Sequence, residues 1–113
     1  MKKIKTLKKN YEFKNVLTKG KFYRGKEIEI FIIKNNKKRN FLGIAIGTKN
    51  GKAFQRNKAK RLIREAYKNL EERIKNGYSI VVLLKKDIDI NDMKYIDILN
   101  EMENTFKKAN IIS

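Results

Sequence analysis

Apolar residues recur with a two-residue period in two neighbouring segments of the chain, which predicts two β-strands. In the first segment, residues 26–34, the side chains of Ile28, Ile30 and Ile32 share one face of the predicted strand. The second segment, residues 41–48, alternates in the same way. A polar turn joins the two segments, so an antiparallel hairpin is the simplest arrangement.

A helical spacing of apolar residues dominates the middle of the chain and predicts a long helix over residues 54–76. Seven residues carry this spacing: Ala59, Leu62, Ile63, Ala66, Tyr67, Leu70 and Ile74. A shorter first helix is predicted over residues 11–18, because Asn10 can cap its start and Gly20 can end it.

The C-terminal third of the chain contains one further strand and one further helix. Residues 78–84 form a nearly continuous apolar run, which is typical of a central buried strand. A third helix is predicted to follow Asn91 or Asp92, either of which can cap it. Its predicted inward positions are Ile96, Leu99, Met102, Phe106 and Ala109, and its predicted outward positions are Asp97, Glu101 and Glu103.

The order helix, strand, strand, helix, strand, helix predicts an α/β (α+β) two-layer sandwich with a small mixed sheet. One strand-helix-strand crossover is expected, and crossovers between parallel strands are nearly always right-handed. A chain of 113 residues is long enough for one hydrophobic core, so residues 1–113 are predicted to form a single domain.

Composition excludes several chemistries and points to one class of partner. Without histidine or cysteine, the chain has no imidazole base, no thiolate nucleophile and none of the usual zinc ligands. Its formal net charge is +17, and residues 1–70 carry 22 basic and only 4 acidic side chains. Such an excess favours a polyanion, with nucleic acid ahead of an anionic membrane surface. The longest apolar run, residues 80–84, is too short to span a bilayer, so we expect a cytoplasmic protein.

The predicted second helix carries a row of cations spaced four residues apart. The row consists of Arg56, Lys60, Arg64 and Lys68, with Asn57 and Arg61 beside it. Lysine and arginine bind phosphates, and arginine adds a planar fork that can bond two oxygens. A charged face that contacts only water is the alternative interpretation. Acidic partners are scarce, because Glu65 is the only acid between Glu29 and Glu71, and this favours binding to a polyanion.

Residues 49–66 read KNGKAFQRNKAKRLIREA, and this run resembles the signature of the bacterial ribonuclease P protein subunit, K-x-G-x-A-x-x-R-N-R-x-K-R-x-x-R-E. The opening LKKNYEFKNV, residues 7–16, and Gly20 extend the resemblance over essentially the whole chain. The resemblance implies a small protein that assists an RNA enzyme in removing the 5′ leader from precursor tRNA. The RNA subunit would supply the catalytic site and hold Mg²⁺, and the crossover of the fold would be left-handed.

The resemblance also implies two sets of site residues and two partners. The RNA-binding positions would be Lys49, Arg56, Asn57, Lys58, Lys60, Arg61 and Arg64. Lys68, the last cation of the row on the second helix, is predicted to bind RNA with them. A leader-binding cleft between helix one and the sheet would contain Phe13, Leu17 and Phe31. The partners would be the catalytic RNA and precursor tRNA, with no membrane, no small-molecule substrate and no cofactor tightly bound by the protein.

Three positions depart from the family pattern. Lys58 keeps the charge of the motif's second arginine but lacks its bidentate fork. Thr48 stands where the family usually has a basic residue, and Leu17, where an aromatic is common, cannot stack on a base. These departures bear on individual contacts.

The chemistry of the cleft also follows from residue types. Phe31 is predicted to lie on the strand face opposite the isoleucines, next to a strand whose small residues, Gly43, Ala45 and Gly47, make a shallow floor. An aromatic beside a low floor suits an extended single strand of nucleic acid. The alternative is that Phe13 and Phe31 are core residues and the small residues permit close helix packing.

Two further interpretations stay open on the residues alone. A ribosomal or general RNA-binding module would share the cationic row, and a nucleoid-type DNA-binding protein could place the second helix in a major groove. Asp87, Asp89 and Asp92 could form a magnesium cluster, but helix capping and turn formation explain them better. No catalytic residues are therefore assigned to the protein.

Overall fold

The computed structural model describes residues 4–112, which fold into a four-stranded mixed sheet with helices on both faces. The elements in chain order are α1 Asn10–Lys19, β1 Lys21–Arg24, β2 Ile28–Lys34, β3 Phe41–Ala45, α2 Ala53–Leu70, β4 Tyr78–Leu84 and α3 Tyr95–Lys108. The predicted α+β sandwich is confirmed.

The strands are ordered β1-β2-β4-β3, so the hairpin predicted between β2 and β3 is wrong. β4 lies between them, antiparallel to β2 and parallel to β3. The physical reason is the apolar character of β4, whose Ile80, Val81 and Val82 are fully buried and need cover on both faces. The antiparallel hairpin is instead formed by β1 and β2.

The segment β3-α2-β4 is the expected crossover between parallel strands. The left-handedness of this crossover stays a prediction. The outer edge of β3 is paired with the N-terminal segment, because Leu7 N–H donates to Leu42 O over 3.0 Å and Leu42 N–H donates to Lys5 O over 2.9 Å. Within residues 4–112, each helix is too short or too polar to cross a membrane.

The main core lies between the sheet and the pair α2 and α3. It contains the predicted isoleucines of β2, the apolar residues of α2 and Phe106 of α3. The rings of Tyr67 and Phe106 meet edge to face, with centroids 6.4 Å apart. Burial raises the pKa of the Tyr67 hydroxyl, so this tyrosine is a neutral core residue. All seven residues predicted to form the inner face of α2 are buried or half-buried.

Several element boundaries differ from those predicted. α1 starts at Asn10 rather than being capped by it, because the Glu12 carboxylate reaches back and accepts from Lys9 N–H over 2.9 Å. α2 ends at Leu70, and the short turn Glu71–Arg73 leads to Ile74, which is buried in extended backbone. The four-residue β1 was not predicted.

The third helix begins later than predicted, and one of its predicted inward residues faces outward. It starts at Tyr95, and neither Asn91 nor Asp92 caps it, since both lie in the preceding turn Ile90–Asp92. Ile96, predicted to face inward, is 55% exposed, and Ile98 lies in the core instead. At 3.6 residues per turn these two side chains lie about 200° apart around the helix, so only one of them can face the core. Glu101, predicted to point outward, instead bonds the turn between β1 and β2. Met102 and Phe106 are buried as predicted.

Candidate nucleic-acid interface

The cationic row of α2 starts immediately after a glycine turn. Gln55 Oε1 accepts from Lys52 N–H over 2.8 Å and so closes the first turn of the helix. Gly51 has a φ of +150°, and a Cβ atom there would lie 2.6 Å from the same Gln55 oxygen. The glycine of the K-x-G-x-A motif is therefore required by the backbone. Arg56 is tied to this turn, because its guanidinium donates to Gly51 O over 3.3 Å.

The structure brings the sequence-predicted RNA-binding positions together along α2. Seven of the eight lie on this helix: Arg56, Asn57, Lys58, Lys60, Arg61, Arg64 and Lys68. Lys49 is exposed in the turn Thr48–Asn50 just before it. All eight side chains are exposed or half-buried, so each can reach a partner at the surface.

The charges of α2 are not neutralised within the described part of the chain. Among residues 4–112 the ion pairs lie elsewhere, joining Arg24 to Glu29, Arg73 to Glu103 and Lys107 to Glu103. Glu65 makes none of them, although it lies on α2 itself. A row of cations without carboxylate partners favours a polyanion from outside the chain over a self-compensated charged face.

The cationic row also borders the edge of the sheet. Lys60 and Arg64 line a cavity of about 240 Å³ together with Thr6, Gly43 and Ile44. α2 thus presents two of its cations beside β3 and the N-terminal segment.

The second sheet face, on the side of α1, holds the residues predicted to form the cleft. Phe13, Leu17 and Phe31 are half-buried and pack around a small cluster of the buried residues Leu7, Val16 and Val81. The predicted location between α1 and the sheet is therefore occupied by these three residues. Each of these three side chains packs on the apolar cluster and keeps part of its surface exposed to solvent.

A row of directly paired residues crosses all four strands on this face. It runs from Phe22 on β1 through Phe31 on β2 and Val81 on β4 to Gly43 on β3. The neighbouring row on the same face contains Arg24, Glu29, Leu83 and Ala45. Side chains on one face of a sheet lie two residues apart along each strand, so these rows are adjacent.

The predicted floor of small residues is only partly open. A Cβ atom at Gly43 would lie 2.6 Å from Cε1 of the Phe13 ring, so Gly43 allows α1 to pack closely and is covered by it. At Gly43 the alternative interpretation is therefore correct: the small residue permits close helix packing. Ala45 is half-buried, and Gly47 is exposed beyond the end of β3.

Sequence reasoning missed Phe22, which lies beside Phe31 with a distance of 4.9 Å between ring centroids. Phe22 is 43% exposed. The signal was the sequence KFYR directly before Gly25, which contains only two apolar residues, adjacent to each other. That is too short for a periodic pattern, and its position in the sheet depends on pairing with β2.

The aspartates act as turn residues. Asp89 Oδ1 accepts from Asn91 N–H over 2.9 Å and so stabilises the turn before α3. In residues 4–112 no three acidic side chains lie close enough to share a metal ion.

The fold and its two surfaces define a class: small, strongly basic α+β proteins in which a cationic helix borders a mixed sheet with an aromatic face. The sequence profile of the family described as Ribonuclease P matches residues 1–110. The Ribonuclease P protein component of Clostridium botulinum is 40% identical over 106 residues, covering 93% of this chain and 94% of that protein. The chain belongs to the ribonuclease P protein family.

Solved structures agree with this assignment. The ribonuclease P protein of Staphylococcus aureus superimposes with a TM-score of 0.83 at 29% identity, covering 98% of this chain and 100% of the other. The protein from Thermotoga maritima gives a TM-score of 0.82 at 26% identity, covering 92% and 96%. Sequence and fold thus agree in placing the chain in the ribonuclease P protein family, a family of tRNA processing.

Proposed function

We propose that the protein uses its two surfaces for two different RNAs in the ribonuclease P particle. The α2 surface, with Lys49 before it, binds the catalytic RNA subunit. The aromatic face between α1 and the sheet binds the single-stranded 5′ leader of precursor tRNA. The observation that carries this proposal is the uncompensated cationic row of α2, which lies apart from the aromatic pair Phe22 and Phe31.

The two surfaces offer different chemistry. Lysines and arginines on α2 replace counterions along a folded RNA backbone, and the contribution grows with each phosphate contacted. Phe13 and Phe31 offer ring faces to unpaired bases, which stack with little regard to sequence. A subunit that must hold leaders of many sequences benefits from this tolerance.

The chain contributes binding, and the RNA subunit contributes the catalytic site for endonucleolytic cleavage. Without histidine or cysteine the protein lacks the imidazole base and the thiolate nucleophile, and the Asp89 carboxylate is engaged in a turn. Mg²⁺, held mainly by the RNA subunit, would activate the attacking water and stabilise the leaving oxygen. The protein's cations lower the need for diffuse magnesium by screening the RNA backbone.

The remaining expectations belong to the same proposal. We propose that residues 1–113 act as one RNA-binding domain in the cytoplasm, with catalytic RNA and precursor tRNA as partners. A ribosomal or general RNA-binding role is the first alternative, and copurification with ribosomal RNA instead of one catalytic RNA would favour it. A nucleoid-type DNA-binding protein would prefer duplex DNA over single-stranded RNA in competition.

Reconstitution with the catalytic RNA tests the proposal. Precursor and mature tRNA are titrated against the assembled particle at low magnesium, and cleavage is measured with and without the protein. The particle is expected to prefer the precursor, because only the precursor carries a leader. The purified protein alone is expected to leave precursor tRNA intact. Equal binding of precursor and mature tRNA, or cleavage by the protein free of RNA, contradicts the proposal.

A further inference from the structure

Phe22 is an exposed aromatic residue that the fold places directly beside the predicted leader-binding face. It pairs with Phe31 across β1 and β2, and the two rings lie 4.9 Å apart at an angle of 37°. Phe22 keeps 43% of its surface exposed, whereas the buried aromatic residues of the core are fully covered. β1 is the outermost strand of the sheet, so no further strand of residues 4–112 lies beside this ring on the outer side.

One cationic side chain, that of Arg24, lies beside the exposed ring. The guanidinium carbon of Arg24 lies 6.0 Å from the centroid of the Phe22 ring, within reach of a cation–π contact. Arg24 also approaches Glu29, with 3.8 Å between Nε and Oε2, and keeps 70% of its side chain exposed. Glu29 lies in the row of side chains next to the row that contains Phe31, and its negative charge would repel phosphate. The positive charge of Arg24 compensates this charge. Lys21 and Lys26 flank the strand.

We propose that Phe22 and Arg24 form a second stacking platform that extends the leader-binding face of Phe31 to the outer edge of the sheet. The occupant is the next stretch of the same single-stranded leader. The inference rests on the proposed function of the Phe31 face. The paired rings are continuous across neighbouring strands, which lie roughly 4.8 Å apart, so one RNA strand can contact both.

RNA fits this platform better than another protein strand does. An aromatic ring with an arginine at its side is the combination that binds unpaired bases and their phosphates. A second copy of this chain would bring two clusters of like charge together at β1, which opposes association. The platform therefore contributes only when a leader is long enough to pass Phe31.

Leader length is the variable that tests this inference. Precursor tRNAs whose leaders increase one nucleotide at a time are bound to the reconstituted particle containing wild type, Phe22→Ala, Phe22→Tyr or Phe31→Ala. Ile96→Ala is the matched control, because it removes an exposed apolar side chain from α3, which packs on the other sheet face.

Wild type is expected to gain affinity in two steps as the leader grows. Phe31→Ala loses the earlier step, and Phe22→Ala loses only the later one, roughly fivefold or more in Kd. Phe22→Tyr retains the later step, because tyrosine keeps the ring face. Ile96→Ala binds every leader like wild type.

Two outcomes overturn different claims. If Phe22→Ala matches wild type at every length while Phe31→Ala binds more weakly, the second platform is wrong and the proposed function stands. If wild type shows no gain with leader length, the proposed leader-binding face is wrong as well. A photoreactive nucleotide moved along the leader gives a second test in the unaltered protein. Crosslinks to the peptide containing Phe22 are expected only from positions beyond those that reach Phe31, and their absence refutes the platform.

Discussion

Glu101 on α3 holds the turn between β1 and β2 through the backbone of Glu27. Both carboxylate oxygens accept from Glu27 N–H, at 3.0 and 3.1 Å, and one also accepts from Ile28 N–H at 3.3 Å. The turn is tight at Gly25, where a Cβ atom would lie 2.7 Å from Ile28 O. This one side chain therefore joins the last helix to the hairpin that carries Phe22 and Phe31.

Replacing this carboxylate is expected to weaken the fold. Glu101→Ala leaves the N–H groups of Glu27 and Ile28 without their acceptor in a partly buried site, at a cost of about 1–3 kcal/mol in the free energy of unfolding. Glu101→Gln keeps one acceptor oxygen and should lose less. Urea denaturation measures both, with the exposed Asn104→Ala as control. Stability of Glu101→Ala equal to that of the control would contradict the role assigned to Glu101.

Glu27 makes stability depend on pH. Burial, followed by the nearby carboxylates of Glu101 and Asp97, raises its pKa above the ordinary value of 4.5. The folded state therefore binds a proton more readily than the unfolded state, so this group lowers stability as pH rises from 4.5 through the raised pKa.

Glu27→Gln is accordingly expected to be more stable than wild type at neutral pH, and the difference should vanish below pH 4.5, where the wild-type group is also neutral. Thermal unfolding across this pH range measures the effect. Glu72→Gln makes the same change in net charge at an exposed position and controls for it. A constant difference between Glu27→Gln and wild type at all pH values would exclude the mechanism.

Gly43 is expected to tolerate no side chain. An alanine there would place Cβ 2.6 Å from Phe13 Cε1 and 3.1 Å from Leu7 Cδ1, so the Phe13 ring has to move. We expect a loss of about 1–3 kcal/mol in the free energy of unfolding. Gly47→Ala is the matched control, because its Cβ meets only Asn50 Oδ1 at 3.4 Å, and it should stay within about 0.5 kcal/mol of wild type. Equal losses in the two variants would show that Phe13 is free to move.

The two RNA surfaces should be separable by mutation. Arg56→Ala and Arg64→Ala are expected to weaken assembly with the catalytic RNA, because they remove cations from α2. Phe31→Ala should leave assembly unchanged and reduce the preference for precursor over mature tRNA. Filter binding of the RNA subunit and of both tRNAs measures the two effects. One undivided RNA site would instead show the same loss from all three variants.

Salt should weaken the binding of the catalytic RNA steeply. If about six cations on or near α2 contact phosphates, log affinity should fall with log salt at a slope of roughly −4, at about −0.7 per contact. Arg64→Ala should make the slope shallower by about one contact, whereas Lys108→Ala, on α3, should not change it. Affinity independent of salt would rule out the electrostatic contribution of α2.

The elements with a sustained period could be predicted from the sequence. The isoleucines of β2 and the apolar residues of α2 repeat over several turns or strand positions, and each set lies in the core. β4 was predicted at its observed bounds, because a short apolar run that is rich in β-branched residues and follows a glycine is typical of a buried strand. The partners of the strands could not be predicted, because periodicity within a strand does not show which strand it pairs with, and β4, which lies between β2 and β3, follows them in the chain only after α2.

The basic surface could be predicted from the sequence, whereas the rest of the site could be predicted only in part. The spacing of Arg56, Lys60 and Arg64 predicts one helix flank, and the family motif adds the glycine turn before it. Phe22 was missed because β1 is too short to show a period. The role of Glu101 was missed because a helical pattern shows only that this residue faces away from the core. It does not show that the turn before Ile28, 73 residues earlier in the chain, lies beside it.

The pairing of the N-terminal segment with β3 also protects the protein against aggregation through the edge of its sheet. An unpaired outer strand is a template for strands of other chains, and such addition leads to aggregation. At β3 that position is taken by the backbone around Leu7, and at β1 the opposite border carries Lys21 and Arg24, whose charges repel another copy. In the absence of RNA, both outer strands of the sheet are thus protected against pairing with another copy. The backbone of Lys5 and Leu7 protects β3, and cationic side chains, the type that we propose binds RNA, protect β1.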